Sequence, residues 1–148
     1  MKAITSVLMM CLLALPALAD RGEQKQVFGD YEVHYIGLTT SFLTTDVAKA
    51  YGIERSGKLA MLNISVLNNP SDDQLPIPMT SSVTGTIKNL IGQSRALEFR
   101  EIKETNAVYY IATFRFDEAE TYRISLKVKP DGNSRTYDVN FSQKFYEE

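Results

Sequence analysis

The sequence predicts an all-β chain: a two-sheet antiparallel β-sandwich of about seven strands, immunoglobulin-like in architecture only, with one short helix near residues 45–51. Two observations carry this reading. From about Lys58 onward, apolar residues recur at every second position, which is what a strand with one packed face and one wet face produces. Between those runs stand turn-forming clusters such as Pro130-Asp131-Gly132-Asn133-Ser134 and Glu104-Thr105-Asn106. A closed barrel is the alternative arrangement of the same strands.

Taken in order, the chain opens on a leader. Lys2 is followed by the apolar stretch Ala3–Leu15, then Pro16 and Ala17-Leu18-Ala19, so residues 1–19 read as a signal peptide cut between Ala19 and Asp20. The run is shorter than the ~20 apolar residues of a membrane span, and no later segment approaches that length, so no transmembrane anchor is expected in the mature chain. Residues 20–148 are expected to form one domain. Val27–Ile36 reads as the first strand. Thr45-Asp46 caps a two-turn helix that continues through Val47-Ala48-Lys49-Ala50-Tyr51 and stops at Gly52. Two turns are unstable alone in water, so Phe42, Leu43, Val47, Tyr51 and Ile53 are expected to dock them on the sandwich.

Leu62, Ile64 and Val66 define the inward face of the strand Lys58–Asn68. The run Asn68–Met79, NNPSDDQLPIPM, is a loop, because its prolines cannot donate to a sheet ladder. Val83 and Ile87 mark a weaker strand, with Gly85 between them as a bulge. Leu97 and Phe99 begin a strand running to Lys103, and Val108, Tyr110, Ala112, Phe114 and Phe116 form the inward face of its hairpin partner. Tyr109 and Ile111 thicken the other face of that partner, which suggests a central strand covered on both sides. Tyr122, Ile124, Leu126 and Val128 alternate with Thr121, Arg123, Ser125, Lys127 and Lys129, and a final hairpin strand carries Tyr137, Val139, Phe141 and Phe145.

Composition narrows the function classes. The net charge is −2, with 16 basic and 18 acidic residues, so no surplus exists for nucleic acid or an anionic lipid surface. The single cysteine, Cys11, lies inside the leader, and Met10 before it is not the small residue that lipoprotein processing wants. The exported domain is therefore built without disulfides and must hold together by burial.

GDYEVHY, Gly29–Tyr35, contains the only histidine. On a strand, Asp30, Glu32 and His34 share a face, with successive members roughly 6.6 Å apart. Zinc normally takes several His or Cys ligands, which this chain lacks, and no calcium-loop spacing is present, so no metal and no cofactor is expected. Met61 and Met79 are the only methionines after the leader, too few for a soft-metal cluster. No G-x-S-x-G elbow exists, and any Ser-His-Asp triad would have to use His34 with an unselected serine. His34 is thus a binding candidate on a wet strand face. Arg55, after the helix, either anchors a partner or ties its own loop. Tyr51, together with Tyr109 and Tyr146 on outward faces, completes the candidate binding residues.

The stretch YEVHYIGLTTSFLTTDVAKAYGIERS, followed by LNISVLN, resembles the domain of unknown function 4426 family, small exported proteins of Gram-negative bacteria. The shared pattern is an H-Y strand, an S-F-L segment, a V-A-x-x-Y-G-I helix with R-S, and strands to a C-terminal F-Y, over residues 24–148. Many members carry Pro at the position of Thr45. The resemblance implies export and a single-domain layout, and it implies no activity, ligand or catalytic residue.

The expectation is an exported periplasmic protein that binds an envelope protein or peptide without catalysis. It would do so through the helix-bearing loop (Thr44–Ser56), the Pro loop (Asn68–Met79) or a sheet edge. The alternative is a small-ligand or metal-dependent enzyme centred on His34. The oligomeric state stays open.

Overall fold

In the computed structural model, which describes residues 24–71 and 73–148, ten strands form two antiparallel sheets. The predicted leader, its Ala19–Asp20 cleavage point, Cys11 and Asp72 lie outside the described residues. In chain order the strands are β1 (Gln24–Phe28), β2 (Tyr31–Thr39), β3 (Leu59–Asn68), β4 (Ile77–Pro78), β5 (Ser81–Asn89), β6 (Ser94–Leu97), β7 (Arg100–Glu104), β8 (Ala107–Arg115), β9 (Thr121–Pro130) and β10 (Tyr137–Lys144). One sheet runs β1-β2-β3-β8-β7, with β4 added to the end of β3, and the other runs β10-β9-β5-β6.

Three predicted strands need correction, each for a physical reason. Val27–Ile36 is two strands, because Gly29 adopts φ 62° and turns the chain back on itself at Gly29-Asp30. The run from Leu97 to Lys103 belongs to both sheets: Leu97 ends β6 in the second sheet, and Arg100 starts β7 in the first. Leu97 and Phe99 nonetheless pack on one core, so the alternation survives a crossing that it cannot report. Gly85 is no bulge, since β5 and β9 pair without interruption from Ser81↔Pro130 to Asn89↔Tyr122. A Cβ there would lie 2.6 Å from Leu126 Cδ2 and 2.8 Å from the Ser125 carbonyl oxygen, so the glycine permits a close approach of neighbouring strands.

The core lies between the sheets. Val33 of β2 and Leu62, Ile64 and Val66 of β3 meet Ile87 of β5, Ile124, Leu126 and Val128 of β9, and Val139 of β10. A second, smaller cluster covers the opposite face of the larger sheet. Met61 and Ile111 pack there with Ile53, and Leu38, Leu43, Tyr51, Ile102 and Tyr109 surround them. β8 is covered on both faces, as its thick pattern predicts.

The covering element is the 3-10 turn η1 (Thr40–Phe42) and the helix α1 (Thr45–Tyr51). Thr44 is the N-cap, accepting from the Val47 N–H at 3.3 Å, and Thr45 is already helical. Gly52 ends the helix at φ 64°. Of the five side chains expected to dock it, Leu43, Tyr51 and Ile53 do, and Ala48 is buried as well. Phe42 of η1 faces solvent instead, as does Val47, because a seven-residue helix turns only one side to the sheet.

The strand directions place the two long loops at opposite ends of the sandwich. The Pro loop joins the β1–β2 and β9–β10 turns: Asn69 N–H bonds Asp30 O at 2.6 Å, and Asp131 N–H bonds Thr80 O at 2.9 Å. The η1–α1 segment shares its end with the β5–β6 turn, the β8–β9 connection and the C-terminus. There Phe116 N–H bonds Lys58 O at 3.4 Å and Phe145 N–H bonds Glu120 O at 3.2 Å.

Candidate functional site

β2 turns Val33 and Tyr35 into the core and sends Glu32 and His34 to the outer face of the larger sheet. Asp30 is not part of that row, because it sits in the β1–β2 turn. Antiparallel register puts His34 between Lys25 of β1 and Ser65 of β3, and Glu32 between Val27 and Leu67. The Glu32 carboxylate is nearly buried and well supplied with donors. Asn69 Nδ2 lies 3.1 Å from Oε1, His34 Nε2 lies 2.8 Å from Oε2, and Lys25 Nζ lies 3.3 Å from both oxygens.

The Asn69 amide, the His34 ring and the Lys25 ammonium together outweigh burial and hold the carboxyl well below its usual range, at about 2. Glu32 thus stays ionised at any ordinary pH and has no proton to give as a general acid. The register brings Ser65 beside His34, which selects one serine from the many. A nucleophile there would act on a flat sheet interior, where the backbone N–H groups are committed to the ladder and none is left to stabilise an oxyanion.

Two of the other candidates come together. The Tyr51 hydroxyl donates to the Glu104 carboxylate, and that bond, with burial behind it, pushes the phenol up to about 12. Tyr109 lies half-buried in the same cluster as Tyr51 and Ile102, so it is no exposed surface residue; α1 and Ile53 cover that part of the face. Tyr109 on β8 and His34 on β2 are separated by β3. Arg55 ties its own loop: Nη2 donates to the Ser41 carbonyl at 3.0 Å and Nη1 to Thr45 Oγ1 at 3.4 Å. Tyr146 is exposed, with Lys144 Nζ 5.3 Å from its ring centroid. Of the five residues singled out in the sequence, only Tyr51 and Tyr109 come together; they do not converge on one site with His34, Arg55 and Tyr146.

A site that the sequence did not reveal opens at the end of the sandwich shared with α1. A cleft of about 330 Å³ lies between the β5–β6 hairpin and the β8–β9 connection. Arg95 reaches across the sheets to donate to the Arg115 carbonyl and lies 5.7 Å from the Phe114 ring centroid. Asp117 and Glu120 line the cleft with them. Tyr122 forms part of its wall. The hydroxyl donates to Glu120 Oε2 at 2.8 Å and accepts from the Asp117 N–H at 3.2 Å, and burial raises its pKa. Asn89 closes one side, its amide donating to Gln93 Oε1 at 2.8 Å and its oxygen accepting from Gln93 N–H at 2.9 Å. These residues come from four separate segments, and no local spacing marks them.

Residues 25–148 match the family described as Domain of unknown function (DUF4426). The chain belongs to the DUF4426 family. A crystal structure of a DUF4426 protein from Pseudomonas aeruginosa is 33% identical, covers 86% of this chain and 97% of its own, and superposes with a TM-score of 0.73. Two more distant structures share the fold. Copper-bound FetP of uropathogenic Escherichia coli, an engineered variant, is 11% identical over 86% of this chain and 97% of its own, with a TM-score of 0.60. A copper-bound variant of Campylobacter jejuni P19 is 11% identical over 84% and 96%, with a TM-score of 0.56. No curated protein matches the chain significantly. The DUF4426 fold here is a mostly-β sandwich with one short helix and more than the seven strands expected. None of its described helices is long and apolar enough to cross a membrane.

Proposed function

We propose that this DUF4426 protein is exported to the periplasm through a cleaved leader and works there by binding: a non-catalytic recognition module of the cell envelope whose partner is an envelope protein or peptide. The observation that carries this reading is where most of the exposed large apolar side chains sit: five of the eight among the described residues lie at one end of the sandwich, while Val27 of β1 and Leu75 and Ile77 of the Pro loop lie toward the other. Phe42 and Val47 of the η1–α1 segment, Leu90 and Ile91 of the β5–β6 turn, and Tyr146 near the C-terminus all belong to elements at one end of the sandwich. Ile91 is 80% exposed and Phe42 65%. Loops on a rigid sandwich end are a common place for recognition, and bulky apolar side chains left in water there are explained by a partner. On the sheet face, the ionised Glu32 and its donors tie β1, β2 and the start of the Pro loop together without forming acid/base machinery.

A photoreactive residue at Ile91 is expected to form an adduct with an envelope protein or peptide in living cells, and one at Lys129, on the outer face of the smaller sheet, is not. Absence of adducts from Ile91, or equal adducts from both positions, would remove the support for this surface.

A metal reading has one observation in its favour: the copper-bound proteins share this fold, and His34 with Glu32 offers one nitrogen and one oxygen donor. The soft donors are elsewhere. Met61 is buried in the α1 cluster and Met79 packs against the inter-sheet core, on the other side of the sheet from His34. No three His, Cys, Asp or Glu groups among the described residues gather as a metal site. Titration with Cu(II) is expected to show no tight stoichiometric site, and the same weak uptake in His34→Ala. Tight binding at one ion per chain, lost in His34→Ala with thermal stability unchanged, would replace the partner-binding reading with the metal one.

A further inference from the structure

The cleft at the sandwich end carries charges of both signs that do not neutralise one another. Arg95 supplies a guanidinium group, Asp117 and Glu120 two carboxylates, and Arg115 its backbone carbonyl, and no ion pair joins the charges among the described residues. Opposite charges facing the same space without pairing are an arrangement that a ligand of matching double polarity can complete. We propose that this cleft binds a zwitterion with a free carboxylate and a free ammonium: an α-amino acid or a dipeptide, Arg95 taking the carboxylate and Asp117 with Glu120 taking the ammonium. This deepens the binding reading above and rests on it.

The geometry supports each part. Arg95 is fixed by the Arg115 carbonyl and the Phe114 ring, and a guanidinium has five N–H donors, so one hydrogen bond to a carbonyl leaves others for a carboxylate. Glu120 is oriented through Oε2 by the Tyr122 hydroxyl, which leaves Oε1 for an ammonium. The Asp117 backbone is held by the same hydroxyl, so one buried phenol positions both acids. A ligand of a single sign would be attracted by the guanidinium or by the carboxylates and repelled by the other. The volume of about 330 Å³ is at the small end for small-molecule sites and suits one or two residues. Ile91 and Leu90 stand at the tip of the same hairpin, exposed, where an apolar ligand side chain would find contact.

Calorimetric titration of the mature protein with L-leucine and L-leucyl-L-leucine, each also as its N-acetyl and C-amide form, tests this. One of the two zwitterions is expected to bind, and blocking either end is expected to weaken it by about tenfold or more, the range for a lost charge-assisted hydrogen bond. The two probes separate a free amino acid from a peptide as the source. Arg95→Gln is expected to weaken the zwitterion and leave the C-amide unchanged, and Glu120→Gln to weaken the zwitterion and leave the N-acetyl form unchanged. Absence of binding by both probes at millimolar concentration, or blocked forms binding as well as the zwitterions, would overturn the proposal. The blocked ligands decide the matter on the unaltered protein should a variant fail to fold. A cleft that ignores all probes while Ile91 still forms its adduct would sink this inference alone.

Discussion

Ile124→Ala is expected to destabilise the domain by about 2–5 kcal/mol, measured by urea unfolding. Ile124 is 1% exposed on β9, a strand that pairs with both β10 and β5. Its cross-strand partners are Phe141 and Ile87, and its side chain belongs to the inter-sheet core. Removing three carbons there forfeits their transfer free energy and leaves a cavity that two sheets hydrogen-bonded on either side close only in part. Domains of this size have about 5–15 kcal/mol in total, so the loss is a large share. Leu90→Ala, at an exposed turn, is expected to change stability by less than about 0.5 kcal/mol. An Ile124→Ala loss below about 1 kcal/mol would mean that β9 does not occupy the centre of the inter-sheet core.

Glu32→Gln is expected to destabilise the protein at neutral pH by about 1–3 kcal/mol and to remove one step of its acid sensitivity. Three donors, from Asn69, His34 and Lys25, point at this nearly buried carboxylate, and a neutral amide satisfies them poorly. The group titrates at about 2 in the folded protein against an ordinary value of 4.5. The unfolded chain therefore takes up the proton more readily, and folding is penalised as protons become available. The stabilisation is fully present above about pH 4.5 and is lost as the pH falls toward 2. Thermal melts at pH 7, 4.5 and 2.5 check this: the unaltered protein should lose stability over the lower interval, and the gap to Glu32→Gln should shrink there. A gap that stays constant down to pH 2.5 would mean that the carboxylate is not held by its donors.

These two residues carry different parts of one architecture. Ile124 sits where the sheets meet, and Glu32 sits on the far face of the larger sheet, where it ties β1 to β2 and β2 to the chain leaving β3. The rigid frame that results leaves the loop ends free to vary. That is where this chain exposes Phe42, Leu90, Ile91 and Tyr146 and opens its cleft. FetP and P19 share the frame at 11% identity, so the function of this chain has to be sought in its own loop-end and cleft residues.

The sequence by itself determined the fold class, most strand positions, the two C-terminal hairpins, the short helix and the family. Each of these follows from local chemistry. Period-two burial shows directly in Tyr122, Ile124, Leu126 and Val128, and Gly52 and Pro130-Asp131-Gly132 announce a helix stop and a turn within a few residues. Tertiary structure alone decided what depends on strand order. Leu97 and Phe99 read as one strand until the chain crosses between sheets. That α1 is what covers Tyr109 is visible only in the folded chain. Arg55 reads equally as an anchor or as a tie within its own loop until Ser41 and Thr45 claim it. The cleft joins Asn89, Arg95, Arg115 and Glu120, whose proximity exists only because β6 and β8 lie in facing sheets whose ends open on the same side. Side-chain alternation records which face of a strand is dry, and it carries no record of which strand lies opposite.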